Sequence, residues 1–257
     1  MASKENPSSP ELFSFYINES LTHIKAYPKA GKTSLATSLA LDAAIYCNQK
    51  VLFFSPGKEQ KKDIYHRLFA VLKKWELDRV EDVSKNPTSE VFDEYEDVML
   101  DLRNLKLIIE PTNDLSFAEL RRLCLFHAHY QKVSLIIIDD FHLTRDAAQI
   151  RHIQELKKMA DILRIPCILF TPMPTVEDAN FRRISQLNVY LDTCSDLCLW
   201  LDRPVYEIEA QLEMIKIPMV EGATPIPLTF NPLILHFTDV EMIGLHLATA
   251  HFQPADD

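Results

Sequence analysis

Glycine is scarce in this sequence. Only four occur among 257 residues, at Gly31, Gly57, Gly222 and Gly244. Glycine serves where the backbone takes a positive φ or comes close to a ligand, so each of these positions is a question in itself. No glycine pair frames a serine as G-x-S-x-G, which removes the nucleophile elbow of the serine hydrolases. No H-E-x-x-H occurs either, because His152 to Glu155 reads HIQE. The nine histidines are dispersed, and His127 and His129 would face opposite ways on a helix. No apolar run reaches the ~18 residues that a membrane-spanning helix needs. The polar stretch from Met1 to Glu11 has no apolar core of a signal peptide. A cytoplasmic protein without a membrane partner is therefore expected. Cysteine usage agrees with that expectation. The five cysteines (47, 124, 167, 194 and 198) are scattered and odd in number, as suits reduced thiols. Cys194 and Cys198 lack a complementary pair at zinc-site spacing and read as small buried side chains. Net positive charge is also missing. A formal charge of −10 argues against tight non-specific duplex binding, which depends on neutralising phosphates. An acidic protein can still carry a local basic channel.

What is present is ordinary for a globular chain: 47% hydrophobic and 25% charged residues, in a length that fits one large α/β domain or two small ones. Residues 1–18 read as a flexible arm, 19–250 as the folded domain and 251–257 as a flexible tail. Strands are expected at Glu19 to Ala26, Lys50 to Ser55, Leu105 to Glu110, Ser134 to Asp139, Ile165 to Thr171 and Asp196 to Leu201. Helices are expected at Gly31 to Asn48, Lys58 to Trp75, Glu90 to Asp101, Ser116 to His129, Ala147 to Arg164 and Asp239 to Ala250. The fourth helix opens with a capping box, Ser116 with Glu119. Glu76 to Ser89, which holds Pro87, and Pro172 to Asp192 are expected to be irregular. From Glu207 to Phe237 short alternating runs broken by prolines predict an antiparallel edge. Strands that alternate with helices mean a mostly parallel sheet flanked by helices on both faces. The acidic run from Glu90 to Asp101 and the basic run through Lys58, Lys61, Lys62, Arg67, Lys73 and Lys74 read as solvated helix faces.

One segment carries chemistry. Ala26-Tyr27-Pro28-Lys29-Ala30-Gly31-Lys32-Thr33 follows an expected strand and opens an expected helix, the setting a phosphate loop requires. Main-chain N–H groups at a helix N-terminus, Ser34 included, point at phosphates, and the helix dipole favours their charge. Lys32 would reach the β- and γ-phosphates of ATP, and the Thr33 hydroxyl would ligate Mg²⁺. The first Gly of G-x-x-x-x-G-K-T is Ala26 here. A second signal is the apolar run Ser134 to Asp140, which ends in carboxylates. Asp139 is the expected partner of the metal or of Thr33, with Asp140 the alternative.

These residues together resemble the C-terminal motor domain of the DnaB-type replicative helicases, whose fold is RecA-like. That family reads A-x-P-x-x-G-K-T at the phosphate loop, which Ala26, Pro28, Gly31, Lys32 and Thr33 match, so Ala26 is no defect. Leu52 to Ser55 resembles its L-F-F-S strand, and Leu115 to Arg121 its L-T-x-x-E-L-R helix start. Ile136 to Leu143 resembles I-V-I-D-Y-L-Q-L. Glu155 to Thr171 resembles the helix and strand that follow, and Phe230 to Phe237 its last strands. The resemblance spans about residues 20 to 238 and implies a RecA-like P-loop fold, ATP and Mg²⁺ as ligands, and replication proteins or single-stranded DNA as partners. Leu199 to Tyr206 resembles a strand followed by Y-R-D-x-Y, which implies Arg203 and Tyr206 on the base or ribose side.

The departures fall on the catalytic parts. The family's S-L-E, whose Glu polarises the attacking water, reads Ser55-Pro56-Gly57. Glu59, in a stretch one residue longer than the family's, and Asp140 are the carboxylates left to act as base. The γ-phosphate sensor Gln falls in Thr171-Pro172-Met173-Pro174, and the Gln of D-Y-L-Q is His142. The DNA-contacting segment falls on Arg182 to Val189 and is not recognisable. The trans-acting K-Q-R-N-G reads Pro218-Met219-Val220-Glu221-Gly222, without its basic residues. An arginine finger is worth ~10³ or more in rate. The stretch before residue 19 is also too short for the family's N-terminal docking domain. Three readings follow. The chain binds ATP·Mg²⁺ with little hydrolysis as an assembly or regulatory partner, or it is an ATPase with relocated catalytic residues, or it is a relic that binds no nucleotide. Self-association is open in all three.

Overall fold

The computed structural model describes residues 20–45, 47–55, 61–88, 90–110, 115–143, 149–175, 179–204, 207–216, 226–233 and 236–239. The strands in chain order are β1 (Leu21–Ala26), β2 (Val51–Phe54), β3 (Leu107–Glu110), β4 (Leu135–Ile138), β5 (Cys167–Pro172), β6 (Leu197–Asp202), β7 (Glu209–Lys216), β8 (Ile226–Asn231) and β9 (His236–Asp239). The helices are α1 (Lys32–Ile45), α2 (Lys61–Lys73), α3 (Leu77–Lys85), α4 (Phe92–Asn104), α5 (Phe117–Gln131), α6 (Ile150–Leu163) and α7 (Phe181–Cys194).

The described strands form one sheet in the order β3-β2-β4-β5-β1-β6-β7-β8-β9. The first six in that order are parallel and the last three antiparallel. Four-residue strands such as Leu-Ile-Ile-Ile are buried on both faces, as crossover helices require. Alternation sorts their side chains into two cores. Ile24, Phe53, Ile137, Ile168 and Phe170 pack under α1 to α4, together with Leu228, Phe230 and Phe237 of the antiparallel strands. Leu21, Phe54, Ile136, Ile138 and Leu169 pack under α5 to α7. The antiparallel strands thus reach the α1 face, and the Phe237 N–H donates to Ser38 Oγ at 3.4 Å.

The mostly parallel sheet with an antiparallel C-terminal edge is as expected, and the capping box of Ser116 with Glu119 is present on α5. Two irregular stretches turn out to be helices. Glu76 to Ser89 holds α3, because Pro87 lies past its last residue and Val80 and Val83 are buried one turn apart. Arg79 also lays its guanidinium 3.9 Å over the Trp75 ring. Pro172 to Asp192 holds most of α7, whose Ile184, Leu187 and Leu191 are buried at helical spacing among polar residues. Of the helix expected from Asp239 to Ala250 only Asp239 is described, as the last residue of β9; the rest of it, the N-terminal arm and the tail lie outside the described residues, as do Gly57, Gly222 and Gly244. No described helix is long and apolar enough to cross a membrane.

Candidate phosphate-binding site

The site is built where the central strand β1 ends. After Ala26 the chain makes a tight turn, closed by the Ala30 N–H donating to the Tyr27 carbonyl at 3.2 Å. Lys29 takes a left-handed φ of 67° and Gly31 a φ of 102°. A Cβ at Gly31 would also stand 2.9 Å from the Phe237 ring, so both backbone and space require glycine there. The first intrahelical bond of α1 runs from the Leu35 N–H to the Gly31 carbonyl at 2.9 Å. The N–H groups of Lys32, Thr33 and Ser34 therefore precede the helical ladder and are available to an anion. Ala26 and Ala30 are buried, whereas Tyr27, Pro28 and Lys29 are exposed.

Two acidic residues come to this turn from the end of β4. The Thr33 hydroxyl donates to Asp139 Oδ2 at 2.6 Å. Asp139 is 2% exposed, and its own N–H donates to the Phe54 carbonyl at 2.9 Å. Asp140 follows in a left-handed conformation with φ of 50°. Its Oδ1 lies 3.9 Å from the Lys32 ammonium and 3.8 Å from His142 Nδ1. Burial pushes the His142 pKa down; Lys32 and Arg183 act the same way, against the pull of Asp140. Thr33 and Asp139 are thus paired, and Asp140 stands on the Lys32 side of the same turn. Glu59 and Tyr206 lie outside the described residues.

Arg203, from the end of β6, grips the turn from behind. Its Nε donates to the Ala30 carbonyl at 2.9 Å and its Nη2 to the Lys29 carbonyl at 2.5 Å. Nη1 donates to the Glu207 carbonyl at 2.8 Å. The guanidinium lies 4.3 Å over the Phe230 ring, and Phe230 packs on Phe237 with centroids 4.8 Å apart. Nothing in the sequence pattern tied Phe230 or Phe237 to the turn.

A polar network on the α7 face of the sheet was equally hidden from the sequence pattern. His23 of β1 contacts Asp192 Oδ1 at 2.9 Å through Nδ1 and Thr171 Oγ1 at 2.7 Å through Nε2. Thr171 donates to Asn188 Oδ1 at 2.7 Å, and Asn188 Nδ2 donates to the Pro172 carbonyl at 3.0 Å. Cys198 Sγ stands within 4.8 Å of the His23 and Asp192 ligand atoms. The Lys25 ammonium on Asp192 at 2.6 Å already supplies a cation there, so the group reads as a hydrogen-bonded network. Burial tends to raise the Asp192 pKa, but the hydrogen bonds from His23 and Lys25 prevail and hold it below the usual carboxylate range.

A family model described as the DnaB-like helicase C terminal domain matches residues 11–177. The chain belongs to this family. The matched stretch runs from before β1 to just past β5, and so takes in both the Ala26–Thr33 turn and the Asp139 strand end of this DnaB-like domain. No curated protein matches it in sequence. Among solved structures it is similar to one described as an ATPase domain, at 17% identity and a TM-score of 0.70, over 93% of this chain and 94% of that one. It is likewise similar to a DnaB-like replicative helicase solved for its interactions with primase, at 17% identity and a TM-score of 0.71. That alignment covers 93% of this chain and 64% of the other, so the chain spans under two thirds of that helicase's length. At such identities the likeness establishes the RecA-like fold, and at 93% of this chain it extends beyond the stretch that the family match reaches.

Proposed function

We propose that this DnaB-like domain binds ATP with Mg²⁺ and hydrolyses it slowly or not at all. It then acts in the cytoplasm as a nucleotide-dependent assembly or regulatory partner of replication or plasmid-maintenance proteins. The observation that carries the reading is the Thr33–Asp139 hydrogen bond beside Lys32, at the start of a helix whose first N–H groups are free of the ladder. A hydroxyl and a carboxylate are hard oxygen donors, the kind Mg²⁺ takes alongside phosphate oxygens. In this reading Ala26 to Ser34 surround the phosphates, Lys32 meets the β- and γ-phosphates, and Thr33 and Asp139 hold the metal directly or through water. Weak turnover is supported by the sequence at Gly57 and at Pro218 to Gly222, where the expected general base and basic finger are missing.

A second reading is favoured by one observation. Asp140 is a carboxylate 3.9 Å from the Lys32 ammonium, close enough to the γ-phosphate end to serve as a relocated base. Calorimetry with ATP·Mg²⁺ on the wild type and Lys32→Ala, with turnover measured with and without single-stranded DNA, separates the readings. Binding at a hundredfold excess over Kd should stabilise the wild type by about 2.7 kcal/mol and leave Lys32→Ala unaffected. Fast, DNA-stimulated turnover that Asp140→Ala abolishes would establish the second reading. No binding at all would leave only the fold.

A further inference from the structure

We propose that Arg203 is a positioning residue of the phosphate loop: it fixes the peptide planes that aim the loop's N–H groups, and does so from the side away from the nucleotide. The inference deepens the nucleotide-binding reading and rests on it only for its second measurement.

The argument begins with peptide planarity. In a trans peptide the C=O and the following N–H point in opposite directions in one plane. Arg203 Nε holds the Ala30 carbonyl at 2.9 Å, so the Gly31 N–H is turned away from Arg203, into the cradle. Arg203 Nη2 holds the Lys29 carbonyl and so turns the Ala30 N–H toward Tyr27, whose carbonyl receives it at 3.2 Å. One rigid fork thereby sets two successive planes, in a turn where Lys29 is left-handed at φ 67° and Gly31 stands at φ 102°. Such a turn has little helical or ladder bonding of its own to keep it in shape, and it needs an outside restraint.

The fork is itself held. Nη1 is engaged by the Glu207 carbonyl at 2.8 Å, and the guanidinium face rests 4.3 Å from the Phe230 centroid. Phe230 leans on Phe237, whose ring occupies the space a Cβ on Gly31 would take. The chain of contacts is closed: Gly31, Phe237, Phe230, Arg203 and back to Ala30. Each of the three guanidinium nitrogens donates to a main-chain carbonyl, which sets the positive charge against the Lys29–Ala30 segment of the loop. The antiparallel strands thus serve the phosphate loop, although they lie on the far side of β6 from it in the sheet.

The experiment is amide exchange by NMR without nucleotide, followed by affinity for an ATP analogue with Mg²⁺, on wild type, Arg203→Ala and Arg203→Lys. Loss of charge-assisted hydrogen bonds should speed exchange at Ala30 and Leu35 by roughly tenfold or more, while Ile24 and Leu199 in the strands stay slow. Affinity should fall by a similar factor of roughly ten in both variants. Methylguanidinium added to Arg203→Ala should recover it, whereas Arg203→Lys, with its side chain still in place, should not respond. Faster exchange confined to the loop, with the strands unmoved, is what a general loss of structure would not produce. Unchanged exchange at Ala30, or a uniform rise across strand and loop, would overturn the proposal. If the wild type binds no nucleotide, the nucleotide reading fails, and the exchange data still decide the role of Arg203. Should Arg203→Ala not fold, Arg203→Lys keeps the stem and charge without the fork, and its exchange pattern decides alone.

Discussion

Thr33 and Asp139 stand 106 positions apart in the chain and are joined by a 2.6 Å hydrogen bond between Oγ1 and Oδ2. The bond exists because β4 ends beside β2, where the Phe54 carbonyl receives the Asp139 N–H at 2.9 Å. It orients a hydroxyl that would otherwise rotate, and it keeps a buried carboxylate in contact with a donor. Removing Asp139 should therefore act through the metal. Asp139→Ala is expected to weaken Mg²⁺-dependent binding of an ATP analogue by about 10- to 100-fold, the usual cost of losing such an orienting group. Binding without Mg²⁺ should change little. An equal loss with and without the metal, in a Mg²⁺ titration followed by calorimetry, would count against the metal role.

Gly31 and Phe237 form a second testable pair. Gly31→Ala meets two obstacles: a φ of 102° and a Phe237 ring 2.9 Å from the new Cβ. Thermal melts of Gly31→Ala, Phe237→Ala and the double variant should show a favourable coupling of about 0.5–3 kcal/mol, since Phe237→Ala relieves the contact. Part of the Gly31→Ala loss should persist in the double variant, because the backbone strain is untouched. Full additivity would mean that the two residues do not meet.

The polar network behind β1 predicts an uneven cost on α7. Asn188 is 7% exposed and bridges Thr171 Oγ1 and the Pro172 carbonyl. Asn188→Leu should destabilise by about 1–3 kcal/mol, because its removal leaves a buried hydroxyl and a carbonyl with lost partners. Gln186→Leu, two residues earlier on the exposed side, should cost no more than about 0.5 kcal/mol. Urea unfolding compares them directly.

Acid should destabilise the protein in part through His66. Its ring is buried on α2, with Nε2 3.0 Å from the Tyr95 hydroxyl. Burial first, and then Lys62, lowers its pKa, against Glu81 and Asp63. The unfolded chain thus takes up a proton at a higher pH than the folded one. The contribution to stability is complete above the ordinary histidine value and is lost as pH falls through the folded pKa. His66→Gln should flatten the fall in stability between about pH 7 and pH 5, where an unperturbed histidine titrates. An unchanged slope in pH-dependent urea melts would remove His66 from that account.

How much of this was legible in the sequence can be followed residue by residue. β2 and β4 were readable because Val51–Phe54 and Leu135–Ile138 are unbroken apolar runs of strand length. The capping box at Ser116 was readable because its partners are three residues apart. α3 and α7 were not: their buried faces are thin, carried by Val80 and Val83 or by Ile184, Leu187 and Leu191, and nearby prolines drew the reading toward loop. The turn from Ala26 to Thr33 was legible as a strand-to-helix turn from its motif, and the pairing of Asp139 with Thr33 was among the expectations drawn from it.

The chain's local grammar decided which segments became strands and helices, and it marked Gly31, Lys32, Thr33 and Asp139. Periodicity, capping and a short loop motif act over a few residues, so order along the chain is enough to reveal them. Tertiary structure alone decided that Arg203 holds the carbonyls of Lys29 and Ala30, that Phe237 fills the space beside Gly31, and that His23 meets Asp192. Those contacts are set by the order of strands in the sheet and by the antiparallel strands packing against α1, and hydrogen-bond directions between distant segments leave no periodic trace in the sequence.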